Sequence, residues 1–197
     1  MGALTLVTGG ARAGKTAFAL ALARAHPGPV TYLATAQAGD EEMAGRIARH
    51  RAERPAAWRT IEAPLDPVAA LDEARPTGLV LLDCLTLWTS NLLLAALPGE
   101  DFSTREGEAA AETALGAARD LAVWAARAEA DLIVVSNEVG WGIVPAAPLT
   151  RLYRDTLGRA NQIIAARAAR VYLVVAGLAL ELRAAGAVSV DSLTRPD

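Results

Sequence analysis

The segment Gly9-Gly10-Ala11-Arg12-Ala13-Gly14-Lys15-Thr16 decides the fold of this 197-residue chain. It matches the phosphate-binding pattern G-x-x-x-x-G-K-[ST], in which a glycine-rich turn joins a buried strand to a helix. The context agrees, because an apolar stretch at 3–8 precedes the turn and helix-favouring residues at 15–25 follow it. We therefore predict a P-loop nucleotide-binding domain, in which backbone N–H groups of the turn hold the phosphates.

Three side chains near this loop suit a magnesium nucleotide. Lys15 is the only lysine among 19 basic residues, and its compact ammonium can reach the β- and γ-phosphates, a task for which the planar guanidinium of arginine is no substitute. We expect the hydroxyl of Thr16 to bind Mg²⁺ and Asp83 to hold the water shell of the ion. Asp83 ends an apolar stretch at 79–83, and the alternative is that it caps the helix that follows.

The rest of the chain alternates short apolar stretches with longer alanine-rich ones, which is typical of a mostly parallel sheet with helices on both faces. We predict strands at 3–8, 30–34, 79–83, 132–136 and 171–175, and a weaker strand at 58–62. We predict helices at 15–25, 41–54, 67–74, 85–96, 104–130 and 149–169. These elements indicate one α/β domain over 1–182, followed by a C-terminal extension at 183–197 in which 187–190 is either loose or an edge strand.

Composition excludes several classes of protein. A mean hydropathy of +0.26 and a net charge of −3 exclude disorder as the main state. The balance of 19 basic against 22 acidic residues argues against a nucleic-acid partner. The single cysteine, Cys84, excludes an internal disulfide. We recognise neither a targeting segment nor an apolar stretch long enough to cross a bilayer, and we expect a cytoplasmic protein without a membrane partner.

The helix predicted at 41–54 carries a histidine among arginines. Spacing of four places Arg46, His50 and Arg54 on one face, with Arg49 and Arg51 beside them. These charges repel one another unless an anion lies among them, and they favour the neutral, nucleophilic form of the imidazole. From the helix alone, a phosphate site and a solvated basic face on which His50 has no role both stay open.

Further motifs follow the phosphate loop along the chain. They are Arg46-Ile47-Ala48-Arg49-His50-Arg51 with Arg54-Pro55 and Trp58-Arg59-Thr60, then Leu82-Asp83-Cys84-Leu85-Thr86-Leu87-Trp88, then Ser136-Asn137-Glu138-Val139-Gly140-Trp141-Gly142-Ile143-Val144-Pro145, and Gly158-Arg159-x-Asn161-Gln162. With the loop they resemble, over residues 4 to 182, the bifunctional adenosylcobinamide kinase and adenosylcobinamide-phosphate guanylyltransferase family of cobalamin biosynthesis.

The resemblance implies a RecA-like sheet, a homotrimer and two reactions. The first phosphorylates the hydroxyl on the aminopropanol arm of adenosylcobinamide, and the second attaches GMP from GTP to that phosphate. ATP and GTP would be the substrates, with Mg²⁺ as cofactor and with adenosylcobinamide and its phosphate as the partners. His50 would carry GMP covalently, while Arg46, Arg51 and Arg54 offset phosphate charge.

The resemblance also implies which residues contact nucleotide. Glu62 would hold the ribose or the guanine edge, the alternative being an ordinary exposed carboxylate. The implied contacts are Gly9, Gly10, Ala11, Arg12, Ala13, Gly14, Lys15, Thr16, Thr35, Ala36, Gln37, Arg51, Ala52, Glu53, Arg54, Glu62 and Asp83.

Two positions depart from the family pattern. Ala13 stands where the loop often has serine, and Trp141 stands where a smaller or methionine side chain is common, which would reshape the corrinoid side of the pocket. Trp88, Trp141 and Tyr153 are interpreted either as corrin contacts or as core.

A third motif leaves its own alternatives open. Ser136-Asn137-Glu138 should face the crevice of the P-loop, where Glu138 either orients the acceptor or the metal or caps the next segment.

Two rival functions use the same loop. One is a P-loop kinase of another small metabolite, which would not need His50. The other is a RecA-type regulatory or assembly protein, which would hydrolyse nucleotide without an acceptor. The covalent-histidine motif argues against both rivals.

Overall fold

The protein is described by a computed structural model covering residues 2–39, 41–52, 54–97, 99 and 101–190, without the side chains of residues 42, 46 and 50. Along the chain the elements are β1 (Leu4–Gly9), α1 (Lys15–Arg24), β2 (Val30–Ala34), α2 (Glu41–Ala52), β3 (Arg59–Glu62), α3 (Pro67–Ala74), β4 (Leu79–Asp83), α4 (Leu85–Ala96), α5 (Thr104–Arg127), β5 (Asp131–Val135), α6 (Pro148–Arg167), β6 (Arg170–Val175) and β7 (Leu178–Glu181).

The strands form one sheet in the order β3-β2-β4-β5-β1-β6-β7. All neighbours pair in parallel except β6 and β7, which are antiparallel. This order places β5 between β1, which leads into the phosphate loop, and β4, which ends at Asp83. The carboxyl ends of these strands therefore meet at one edge of the sheet, where ligands of open α/β sheets bind.

Alternate residues of the central strands point to two separate hydrophobic clusters. One cluster joins the sheet to α3, α4, α5 and α6 through side chains such as Leu82, Trp88 and Leu121. The other joins the opposite face to α1 through side chains such as Leu81, Ala19 and Leu20. The predicted mostly parallel sheet with helices on both faces is confirmed, because near-continuous apolar strands have to be covered on both sides.

Several predicted boundaries were wrong by one to three residues. The helix predicted to reach residue 130 ends at Arg127, and Ala128 is extended with φ −69° and ψ 152°. Alanine favours helix, but the chain must straighten before β5, whose first residue donates its amide to Gly78 O at 2.8 Å. For a similar reason α6 ends at Arg167 rather than residue 169, since β6 begins at Arg170.

The sheet edge differs from the expectation. The strand β7 was not predicted, and it pairs with β6 through a tight turn at Ala176 and Gly177, both with positive φ. Residues 187–190, considered above as an edge strand, do not pair with the sheet. The division into a domain at 1–182 and an extension at 183–197 stays a prediction. Within the described ranges, no helix is long and apolar enough to cross a membrane.

Candidate active site

The phosphate loop adopts a conformation that its glycines allow. Gly9 has φ +146°, and a Cβ there would lie 2.2 Å from Val174 O, so a side chain would collide with β6. Gly14 precedes α1 with φ +103°. Gly177 donates its amide to Ala13 O at 3.0 Å, so the unpredicted β6–β7 turn supports the loop from behind. Strand β1, helix α1 and this turn together set the path of the loop.

Lys15 is held within the loop that it serves. Its side chain is buried, and its Nζ donates to Gly10 O at 2.6 Å. Burial lowers the pKa of Lys15, while the neighbouring acidic groups, among them Asp83 and Glu138, oppose that shift. The ammonium therefore lies among acidic groups at the carboxyl edge of the sheet, where an incoming phosphate can replace the Gly10 carbonyl as its partner.

A cavity of about 960 Å³ opens beside the loop. The phosphate loop forms one wall, the ends of β2, β4 and β5 form the floor, and α2 forms the opposite wall. The predicted contact residues that line it are Ala11, Arg12, Ala13, Gly14, Lys15, Thr16, Ala36, Gln37, Arg51, Arg54, Glu62 and Asp83. A cavity of this size, with a phosphate loop at one side, fits a nucleoside triphosphate.

Four other residues that were predicted to contact nucleotide do not line the cavity, namely Gly9, Gly10, Thr35 and Ala52. Thr35 is fully buried, and its hydroxyl both donates to Cys84 O and accepts from Cys84 N, each at 2.8 Å. Thr35 therefore holds the end of β2 against the end of β4.

Asp83 lies at the end of β4 and lines the cavity together with Thr16. The helix-cap alternative is not observed, because α4 has Cys84 at its N-cap and no side-chain cap bond. The peptide bond between Asp83 and Cys84 is cis. A hydroxyl and a carboxylate are oxygen ligands of the kind that Mg²⁺ accepts while it keeps several waters, so these two residues fit the ion. Within the described part of the chain no group of three or more metal-binding side chains is found.

One face of α2 forms the far wall. Met43, Ile47, Arg51 and Arg54 line the cavity at intervals of four, four and three residues. Residue 50 follows Ile47 by three positions within α2, which is the spacing of neighbours on one helix face. The side chains of Arg46 and His50 and the whole of Glu53 lie outside the described residues.

The two described arginines of this wall have protein partners. Arg51 forms an ion pair with Glu62, and both side chains are more than half exposed. The guanidinium carbon of Arg54 lies 3.4 Å from the centroid of the Tyr32 ring. Protein groups thus meet part of the positive charge for which an anion was expected, and Glu62 is the partner of Arg51.

Tyr32 is a cavity residue that the sequence analysis did not identify. Its hydroxyl donates to Asp83 Oδ2 at 2.5 Å, between neighbouring strands β2 and β4. Burial raises the pKa of Tyr32, and the adjacent Asp83 raises it further, so the hydroxyl stays a donor. The signal is weak in the sequence, because a tyrosine in the apolar strand Val30–Ala34 resembles an ordinary core residue.

The end of β5 is held by a buried polar network. Ser136 donates to Asn161 Oδ1 at 2.6 Å, and Asn161 Nδ2 donates to Asn137 O at 3.0 Å and to Glu138 Oε1 at 3.2 Å. Glu138 Oε1 also accepts from Thr8 Oγ1 at 2.8 Å. Glu138 therefore braces the end of β1 against α6, which explains the asparagine of the Gly158 motif as a scaffold residue.

The aromatic candidates separate into two groups. Trp88 is 2% exposed and donates its indole N–H to Leu65 O at 2.9 Å, so it is core. Tyr153 packs against the core, and its burial raises its pKa to about 12. Trp141 is 72% exposed and Ile143 is 97% exposed, in the segment that follows the cavity residue Asn137. Cys84 also lines the cavity, and burial raises the pKa of its thiol to about 12.

Comparison with solved structures supports the fold. An ATPase from the type III secretion system of pathogenic bacteria superposes with a TM-score of 0.56 at 11% identity, covering 98% of this chain and 60% of that chain. Together with the phosphate loop and the parallel sheet, this likeness confirms the predicted RecA-like P-loop fold.

Comparison with characterised sequences identifies relatives. The bifunctional adenosylcobalamin biosynthesis protein CobP of Pseudomonas aeruginosa is 46% identical over 179 residues, which are 90% of this chain and 96% of that protein. The corresponding CobU proteins of Salmonella typhimurium and Escherichia coli are 44% and 40% identical, each over 91% of this chain and 99% of their own length.

A family model gives the same result over a continuous range. The model for cobinamide kinase / cobinamide phosphate guanyltransferase matches residues 5–182, which include the phosphate loop, the cavity and the network at the end of β5. The chain is an enzyme that belongs to the cobinamide kinase / cobinamide phosphate guanyltransferase family.

Proposed function

We propose that this chain catalyses both reactions of its family in one cavity: phosphorylation of adenosylcobinamide with ATP or GTP, and transfer of GMP from GTP to adenosylcobinamide phosphate through a guanylyl group on His50. The observation that carries the proposal is the position of α2. Its face at 43, 47 and 51, with Arg54 just after the helix, closes the same cavity that the phosphate loop opens. A nucleotide held by the loop therefore has the helix of the proposed nucleophile beside it.

The phosphoryl transfer uses the loop side of the cavity. The hydroxyl oxygen of adenosylcobinamide attacks the γ-phosphorus, the bond to the β-phosphate oxygen breaks, and the hydroxyl proton leaves to solvent. Lys15 is placed to offset the charge that develops on the transferred group and on the leaving oxygens. Backbone N–H groups of the loop bind the remaining phosphate oxygens.

The guanylyl transfer uses the α2 side. A ring nitrogen of His50 attacks the α-phosphorus of GTP, and the bond to pyrophosphate breaks. A phosphate oxygen of the acceptor then attacks the same phosphorus, the nitrogen–phosphorus bond breaks, and adenosylcobinamide-GDP leaves. Arg51 and Arg54 line this side of the cavity, where their charge can stabilise the leaving pyrophosphate.

Mg²⁺ belongs to the proposal as the cofactor that neutralises phosphate charge when bound. Thr16 would supply a hydroxyl ligand, and the carboxylate of Asp83 would hold water of the ion. Both residues line the cavity. We further propose that the enzyme is cytoplasmic and a homotrimer, and light scattering on the purified protein tests the oligomeric state.

The guanylyl-histidine is tested by incubating the protein with Mg²⁺ and GTP labelled at the α-phosphate and then denaturing it. A phosphoramidate is acid-labile and alkali-stable, and we expect such label on the wild type and none on His50→Ala. His26→Ala is the matched control, because His26 lies near Asp131 at the amino-terminal edge of the sheet and should leave the label intact.

Two outcomes would contradict parts of the proposal. A folded, GTP-binding wild type without label would exclude the transferase reaction and leave a kinase of a small metabolite. Label that survives in His50→Ala would move the covalent site to another residue.

A further inference from the structure

Tyr32 lies where three parts of the site meet, and the proposed reactions give it no role. The side chain is 2% exposed. Its hydroxyl is bound to Asp83 Oδ2, while one face of its ring lies against the Arg54 guanidinium. Since Arg54 comes two residues after the last residue of α2, the ring is a point at which the end of this helix rests on the sheet.

Two described contacts hold this end of α2, and they differ in strength. The ion pair between Arg51 and Glu62 is more than half exposed on both sides, and such pairs contribute little. The contact between Arg54 and the Tyr32 ring is shielded from solvent, because Arg54 Nε is buried. This nitrogen has no hydrogen-bond partner among the described residues. A planar cation stacked on an aromatic face is stronger when it is desolvated, so this contact dominates.

The hydroxyl fixes the ring that Arg54 uses. The bond between Tyr32 and Asp83 joins neighbouring parallel strands, with Ala34 opposite Asp83 in the register. Because the ring is anchored at its far end and buried along its length, it is a rigid support. A leucine at this position would offer neither the flat face nor the anchor.

Arg54 is linked to the last turn of α2, because its amide donates to Arg51 O at 3.3 Å. Residue 50 is the neighbour of Arg51 in that turn. A nucleophile must approach its phosphorus closely, and a displacement of about 1 Å can cost about a hundredfold in rate. An unsupported end of α2 would therefore slow the covalent step while the phosphate loop still binds nucleotide.

We propose that Tyr32 is a positioning residue for guanylyl transfer: its ring supports Arg54 and thereby fixes the turn of α2 that carries His50. The inference rests on the proposed guanylyl-histidine and adds a residue outside the phosphate loop and outside the arginine-rich helix. It also distinguishes the two reactions, since the kinase reaction should depend on support by Tyr32 much less than the guanylyl reaction does.

The experiment measures formation of guanylyl-enzyme by rapid quench at saturating Mg²⁺ and labelled GTP. Tyr32→Leu should lower the single-turnover rate constant by about ten- to a hundredfold, while the Kd of a fluorescent GTP analogue changes by less than about threefold. Tyr32→Phe keeps the ring face and should stay within about fivefold of the wild type. Tyr172→Leu, which removes a ring packed on Phe18 of α1, is the matched control and should leave the rate constant unchanged.

A double-mutant cycle with Arg54→Lys separates support from charge, because lysine keeps the positive charge and lacks the planar group that stacks on the ring. If Arg54 acts through Tyr32, the double variant should be within about threefold of Tyr32→Leu alone. Additive losses would mean that the two residues act independently, which would overturn the inference. If Tyr32→Leu does not fold, Arg54→Lys against Tyr32→Phe decides, since only the former loses the stacking contact and should show the large fall, and an unchanged rate constant in Arg54→Lys would overturn the inference.

Failure of the proposed guanylyl transfer and failure of the inference on Tyr32 give different results. A wild type without label overturns the proposed guanylyl transfer and this inference together. A wild type that is labelled, with Tyr32→Leu labelled at the same rate, overturns the inference alone. Equal losses in the kinase and guanylyl reactions, with weaker nucleotide binding, would show a merely structural role and also overturn it.

Discussion

At the scale of single residues, Lys15 is a position at which the chemistry of the site determines the residue type. Every other basic position among the 19 is arginine, yet here the chain has lysine. The structure supplies the reason, because Nζ fits within the loop at 2.6 Å from Gly10 O and is buried. A guanidinium is wider and needs a planar set of acceptors, which this loop does not offer.

Lys15→Arg should therefore lose activity although the charge is kept. We expect kcat/KM for phosphorylation of adenosylcobinamide to fall by about a hundred- to a thousandfold, because the cation no longer reaches the developing phosphate charge. Steady-state kinetics with ATP checks this. Arg24→Lys, in the exposed last turn of the same helix, should keep the wild-type value. A Lys15→Arg enzyme with more than about a third of wild-type kcat/KM would contradict this argument.

At the scale of elements, the start of α5 is determined by residues that are close to it in the sequence. The Ser103 hydroxyl accepts from Glu106 N at 3.3 Å, and Glu106 Oε2 accepts from Ser103 N at 2.7 Å, which is a complete capping box. The predicted start at residue 104 is confirmed for this reason. The predicted end was wrong because it depends on where β5 must begin.

Ser103→Ala should lower the free energy of unfolding by about 1 kcal/mol, since the backbone N–H of Glu106 loses the Ser103 hydroxyl as its acceptor. Thr113→Ala, in the middle of the same helix, should be neutral or stabilising, because alanine is the better helix former and the hydroxyl bond to Ala109 O is local. Urea denaturation of both variants measures the difference. Equal destabilisation by the two substitutions would show that the box has no special role.

The capping box of Ser103 and Glu106 also predicts that the free energy of unfolding depends on pH. Hydrogen bonds from Ser103 lower the pKa of Glu106 below its ordinary value of 4.5. The carboxylate therefore contributes stability above pH 4.5, and that contribution is lost as the pH falls through the lowered pKa. Glu106→Gln should remove this acid limb from a plot of unfolding free energy against pH. An unchanged acid limb in the variant would contradict the assignment.

At the scale of the whole molecule, nucleotide binding and folding are linked. A ligand that binds only the native state at about a hundred times its Kd adds about 2.7 kcal/mol of stability, and in a chain of this size that raises Tm by about 5–10 °C. We expect this shift with Mg²⁺ and GTP, a smaller one in EDTA, and a much reduced one in Lys15→Arg. Differential scanning fluorimetry measures it. A shift that is the same in Lys15→Arg and in the wild type would place the nucleotide outside the phosphate loop.

The sequence by itself determined the phosphate loop, the order of strands and helices along the chain as far as β6, and the family. Each is local or nearly so: glycines that the turn requires, strands that are apolar because helices cover both faces, and helix starts with their caps. These features depend on residues close in the chain, so a pattern can display them.

Only the tertiary structure decided which side chains meet. Tyr32 and Asp83 are 51 residues apart and touch because β2 and β4 are neighbours, an order that no local pattern specifies. The strand β7, the partners of Arg51 and Arg54, and the role of Asn161 depend on the same long-range pairing. Residue types indicated what chemistry the cavity could perform, and the packing of distant segments decided how its walls are held.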